Sequence, residues 1–121
     1  PISKKNIDLI RKGLWMVANS KKGSARNVAI KGVYVSGKTG TSQVVSRKMN
    51  DPESSDEKKK ILQHRAHALF VAYAPSENPE IAVSVIIEHG ESGGKEAGPI
   101  ARGIIKLYLG IADDISLTKK E

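Results

Sequence analysis

Two strand-like runs, HALFVAYA (67–74) and EIAVSVIIE (80–88), flank the five residues Pro75-Ser76-Glu77-Asn78-Pro79. This arrangement restricts the chain more than any other stretch in it. β-Branched and aromatic residues favour extended structure in both runs, and so short a connection closes an antiparallel hairpin. Helical patterns lie on either side. Residues 6–19 place Ile7, Ile10, Leu14, Val17 and Ala18 at three-and-four spacing, on one face of a helix that Asn19 and the following Lys-Lys-Gly-Ser end. Gly13 costs that helix roughly 1 kcal/mol relative to alanine, which points to close packing there, and Trp15 beside the stripe reads as core. Near 97–109, Pro99 suits a first turn, Gly110 stands where a helix stops, and Ile100, Ile104, Leu107 and Tyr108 make the expected buried face. A further strand reads over 33–46. Residues 47–65 read as a polar excursion loop with a short helix near 56–63, and the tail after Ala112 as frayed. The order helix, strand, loop, strand, strand, helix predicts an α+β fold, with helices packed on an antiparallel sheet. We expect one unit over 1–112 and a flexible tail over 113–121.

The composition narrows the function classes. At 121 residues and 39% hydrophobic, the chain has enough for one modest core. Its start at Pro1 leads us to expect a segment of a longer protein, with any membrane anchor upstream. No apolar run approaches the length of a membrane span. With no cysteine, disulfides and thiolate metal sites are excluded. The net charge of +7 sits in short groups such as Lys4-Lys5, Lys21-Lys22 and Lys58-Lys59-Lys60. Aromatics are only 4%, and none interleave with the basic groups as stacking on nucleic acid requires, so the charge reads as solvated surface and no nucleic-acid partner is expected.

The stretch GVYVSGKTGTSQVV (32–45) carries the chemistry. Gly32 through Thr39 satisfy the phosphate-loop pattern, which would set Lys38 on a nucleotide phosphate. That motif needs small flexible residues inside the loop and a helix opening at its Lys-Thr. Val33, Tyr34 and Val35 are stiff strand formers, and Gly40-Thr41 with Val44-Val45 make a poor helix. The pattern fails on context. Lys38-Thr39-Gly40 on a strand is instead the third signature of serine β-lactamases and penicillin-binding proteins.

Its surroundings extend the match. GLWMVAN with the following GSA, then GVYVSGKTGTSQ, HALFVAYAPSENPEIAVSVIIEHG and AGPIARGIIKLYLG together resemble the C-terminal part of the transpeptidase domain of a class B penicillin-binding protein, of the penicillin-binding protein 2 type. The resemblance covers nearly all of residues 6–110. It implies a serine-type enzyme that cross-links peptidoglycan, acylated by a peptide ending in D-alanyl-D-alanine and by β-lactams. Lys38 would supply positive charge and Thr39 a hydroxyl to the substrate carboxylate. Gly40 would allow close approach, and the backbone N–H of Thr41 would form half of an oxyanion hole. The substrate would add as a strand near Thr41 and Gln43. No cofactor or metal is implied. The parent is expected in the bacterial inner membrane with this domain in the periplasm, alongside cell-wall elongation proteins. A basic binding module without chemistry, and a β-lactam sensor or hydrolase, remain as alternatives.

The family also requires Ser-x-x-Lys and Ser-x-Asn, in that order, before Lys-Thr-Gly. Both strings occur here after it, as Ser92-Gly93-Gly94-Lys95 and Ser76-Glu77-Asn78. The first reads as coincidence because two glycines give a nucleophile no rigid placement, and the second as ordinary turn residues. The fragment alone is therefore expected to be inactive, with its nucleophile upstream. His64 and His67 are three apart without an acidic partner suitably spaced, and read as surface or part-buried histidines.

Overall fold

The computed structural model describes residues 1–43 and 65–112. The expectations over 44–64 and 113–121, including the end of the predicted first strand, the excursion loop, His64 and the tail, lie outside the described residues.

Helix α1 spans Lys4–Asn19 and begins two residues earlier than its apolar spacing indicates. Ser3 is the reason: its Oγ accepts from the Asn6 N–H at 3.4 Å and caps the first turn. At the other end the Asn19 side chain donates to the Trp15 carbonyl at 2.7 Å and to the Val35 carbonyl at 2.8 Å. One amide therefore ends the helix and ties it to the approach to the first strand. Between them the chain folds back on the last helical turn, Ala25 N–H donating to the Val17 carbonyl at 3.0 Å, and makes a short 3₁₀ turn at Arg26–Val28.

Strands β1 (Ser36–Ser42), β2 (His67–Ala74) and β3 (Ile81–Ile87) form one antiparallel sheet in the order β1-β2-β3. The predicted hairpin is β2 and β3, paired from Ala68 opposite Ile87 to Ala74 opposite Ile81. The first strand starts at Ser36 rather than at Val33. Its β-branched lead-in is used for packing instead: Val33 bridges Ile30, Tyr34 meets Trp15 edge-on at 5.5 Å, and Val35 is fully buried.

The two-residue period of a strand divides the sheet into two faces. Ala68, Phe70 and Ala72 are buried on one, in a core with Val28, Ala97, Ala101 and Ile105. Phe70 is wholly buried, worth about 2–3 kcal/mol of apolar transfer. Helix α2 (Gly98–Tyr108) follows a single π turn at Gly93–Ala97, and supplies this side of the core. On the other face Leu14 of α1 bounds a cavity of about 340 Å³ with Val71, Tyr73, Ala82 and Ser84.

Two readings of the helices are corrected. Gly98, Ala101 and Ile105 are the buried residues of α2, with Lys106, while Ile100 (47% exposed), Ile104, Leu107 (83% exposed) and Tyr108 face outward. The helix is apolar on two sides, and its small residues take the buried side, where they allow close approach: a Cβ on Gly98 would stand 2.8 Å from Cγ2 of Val28 in the 3₁₀ turn. Gly13 has open space around it, so no close contact accounts for it. Gly110 does end α2 as expected, in the left-handed region at φ 65°, with Ile111 N–H donating to the Lys106 carbonyl at 2.9 Å.

Candidate functional site

β1 has one strand neighbour, so along its other side the backbone meets no strand among the described residues. Alternation sends successive side chains to opposite faces. Lys38 lies in a row with Val71 and Ser84 on the face toward α1, and is exposed. Its ammonium donates to the Thr39 carbonyl oxygen at 2.7 Å. Thr39 lies in a row with Phe70 and Val85 on the opposite face. Its Oγ1 is 3.4 Å from Ser24 Oγ, and its methyl group borders the Gly94 backbone. Gly40 is opposite Leu69, and a Cβ there would stand 3.1 Å from Leu69 Cβ. Thr41 and Gln43 are both exposed, Thr41 in the strand and Gln43 just past its end. The five expected site residues thus occupy one short edge segment, with the Lys38 and Thr39 side chains on different faces of it.

The geometry removes the phosphate-loop alternative. Lys38 and Thr39 are mid-strand, and no helix opens at them.

Ser92-Gly93-Gly94-Lys95 is more ordered than the residue types suggest. Ser92 Oγ accepts from the Lys95 N–H at 3.4 Å and caps the π turn, and both glycines are buried. A Cβ on Gly93 would overlap the Leu69 carbonyl oxygen and stand 2.6 Å from the Gly40 carbonyl oxygen. A Cβ on Gly94 would stand 2.6 Å from the Ser24 carbonyl oxygen, and Asn27 Nδ2 donates to the Gly94 carbonyl at 2.8 Å. Glycine here gives close backbone packing rather than looseness. This turn backs the strand that carries Lys38-Thr39-Gly40. Ser24 and the glycine pair are thus neighbours of the site whose place beside it motif reading does not show: Ser24 was seen only within the GSA stretch, and the glycines only within a coincidental string.

Ser76, in the second string, hydrogen-bonds Ser36 across 2.8 Å between hydroxyls and donates its N–H to the Tyr34 carbonyl at 2.8 Å. It joins the β2–β3 turn to the start of β1. His67 pairs with His89, ring centroids 5.0 Å apart. Among the described residues no group of three His, Cys, Asp or Glu side chains is placed to hold a metal ion. No helix among them is long and apolar enough to cross a membrane.

The comparisons agree with this architecture. The model of the penicillin binding protein transpeptidase domain matches residues 1–106. Peptidoglycan D,D-transpeptidase MrdA of Haemophilus influenzae is 39% identical over 100 residues, covering 82% of this chain and 15% of the relative. Penicillin-binding protein 2B of Streptococcus pneumoniae is 34% identical over 111 residues, covering 88% of this chain and 14% of the relative. Among solved structures, Pseudomonas aeruginosa PBP2 superposes with a TM-score of 0.69 at 31% identity, over 94% of this chain and 21% of that one. PBP2 of Helicobacter pylori, solved in complex with MreC, does so at 0.66 and 31%, over 93% and 19%. The chain spans about 15% of the length of the curated relatives it matches. A domain model matched along nearly all the described residues, on a sheet edged by Lys38-Thr39-Gly40, makes this chain a member of the penicillin-binding-protein transpeptidase domain family, of the penicillin-binding protein 2 type.

Proposed function

We propose that this chain is the C-terminal part of a serine-type peptidoglycan D,D-transpeptidase and supplies the wall of the active site that holds the substrate carboxylate. The observation that carries the proposal is the exposed Lys38 on an edge strand whose outer side meets no other strand among the described residues. A stem peptide ending in D-alanyl-D-alanine lies along that edge near Thr41 and Gln43, and β-lactams take the same place. The Lys38 ammonium, now on the Thr39 carbonyl, turns to the terminal carboxylate. The Thr39 hydroxyl, now beside Ser24, is the second donor, and Gly40 leaves room for the ligand backbone. Thr39 and Thr41 send their backbone groups to the same side of the strand, since these alternate every two residues. A Thr39 carbonyl reached by a side chain favours that side being the open one, where the Thr41 N–H is half of the oxyanion hole.

The nucleophile and its lysine belong to a part of the enzyme outside this chain, so the chain alone forms no acyl adduct. Ser92 is occupied as a helix cap and Ser76 as a tie to Ser36. The parent acts in the inner membrane facing the periplasm, with cell-wall elongation proteins as partners. The MreC bound to the Helicobacter pylori relative supports the last of these.

Intact mass spectrometry with a labelled penicillin tests the reading. The full-length transpeptidase should be labelled and this chain alone should not. In the full-length protein, Lys38→Ala should slow acylation about ten- to hundredfold, the loss of one charge-assisted hydrogen bond. Thr39→Val should slow it less. Unchanged acylation in Lys38→Ala, or labelling of the chain at Ser92, overturns the proposal.

A further inference from the structure

Residues 89–92 leave the sheet through a backbone that side-chain-bearing residues avoid. His89 and Glu91 have φ of 56° and 62°, both in the left-handed region. Four contacts to residues 65–67 keep the turn there. His89 N–H donates to His67 Nδ1 at 3.0 Å, and His89 Nδ1 lies 3.1 Å from the Arg65 carbonyl oxygen. Glu91 N–H donates to the Ala66 carbonyl at 2.9 Å, and Arg65 pairs with the Glu91 carboxylate at 3.4 Å. The two imidazole rings are tilted by 60° at 5.0 Å.

These bonds assign the protons. A carbonyl oxygen only accepts, so His89 carries hydrogen on Nδ1. A backbone N–H only donates, so His67 Nδ1 is a bare lone pair and the ring hydrogen is on Nε2. The rings therefore respond to acid differently. His89 can gain a proton on Nε2 and keep its bond to Arg65. His67 can gain one only on Nδ1, where it evicts the His89 N–H.

We propose that His67 is a proton-sensitive latch. Neutral, it holds the 89–92 turn and, through it, the Gly93-Gly94 backbone against the Lys38-Thr39-Gly40 strand; protonated, it lets go. The link from turn to strand is steric, because the Gly93 backbone lies over Leu69 and Gly40 with no room for one added carbon. In register His67 is opposite Ser42 of β1, and the β2–β3 pairing continued by one residue sets Glu88 beside it. The charged groups around it among the described residues are thus Arg65, Glu88, His89 and Glu91, while Thr41, Ser42 and Gln43 on the β1 side bring none. In the π turn, Lys95 and Glu96 are exposed. The lost hydrogen bond and the backbone strain it restrains set the direction: the closed turn belongs to neutral pH, and acid opens it. Histidine is the side chain whose charge changes between pH 5 and 8. The latch does not depend on which ligand the strand binds.

Amide hydrogen exchange by NMR on the full chain decides it, read as protection factors so that the intrinsic pH dependence divides out. Between pH 8 and pH 5 the protection of His89, Gly93 and Gly94 should fall by about tenfold, the weight of the one hydrogen bond lost. Phe70 and Ile105 should keep theirs. In His67→Asn the amide oxygen takes the place of Nδ1 without titrating, so protection should persist at pH 5. In His67→Phe it should be low at both pH values. If wild type is flat with pH, if His67→Asn follows the wild-type loss, or if Phe70 and Ile105 lose protection in parallel, the latch is wrong. Should His67→Phe not fold, wild type against His67→Asn still separates a latch from its absence.

Discussion

The two faces of the sheet obey different rules, and β1 belongs to both. Toward α2, Ala68, Phe70 and Ala72 are buried among small residues and bare backbone, and Thr39 points the same way. Toward α1, Lys38 shares its row with Val71, which is 48% exposed, and Ile86 nearby is 63% exposed. One face has no spare volume, so a single methyl group added or removed is felt through the fold. The other leaves Lys38, Val71 and Ile86 exposed, so single changes there cost little stability. A strand with period two thus puts the half-buried Thr39 and the exposed Lys38 on opposite faces, although they are adjacent in sequence.

The contrast is easily put at risk by denaturant unfolding of the chain. Phe70→Ala should cost most, about 3–5 kcal/mol, because a wholly buried aromatic leaves a cavity that close-packed neighbours cannot collapse into. Gly93→Ala should follow at about 3 kcal/mol, the upper range for overpacking, since its new carbon meets backbone oxygens that belong to the sheet. If that variant unfolds at the wild-type midpoint, the turn is not a rigid backing and the packed face is looser than described. Asn19→Ala should cost about 1–3 kcal/mol, by leaving the Val35 carbonyl without its amide donor. Lys38→Ala should change stability by no more than about 0.5 kcal/mol. A larger loss would mean that the open face holds the fold as well, and the contrast would collapse. Smallest of all is Lys4→Ala, which removes an exposed ion pair to Asp8 worth about 0.3–0.5 kcal/mol.

Much of this was legible from residue patterns. The hairpin, the two helices, the Gly110 stop and the strand setting of Lys38-Thr39-Gly40 follow from local preferences that act over a few residues: β-branching, a short turn, a three-and-four repeat. The buried side of α2 was not legible, because that helix is apolar on two sides and periodicity cannot say which stripe meets the sheet. The rigidity of Gly93-Gly94 was hidden as well. Glycines read as flexible until the backbones of Leu69, Gly40 and Ser24 are seen to press against them. Ser92 carried the spacing of a nucleophile, and its bond to the Lys95 N–H makes it a cap.

By itself, then, the sequence determined which segments are helix and strand, the α+β class and the motif that names the family, since each rests on interactions between near neighbours in the chain. The tertiary structure alone decided which helix face is buried, that Thr39 meets Ser24 while Lys38 stays open, and that His67 meets His89 across 22 positions. Those outcomes depend on contacts between residues far apart in the chain, where size and hydrogen-bond geometry choose among arrangements that local preference leaves equal.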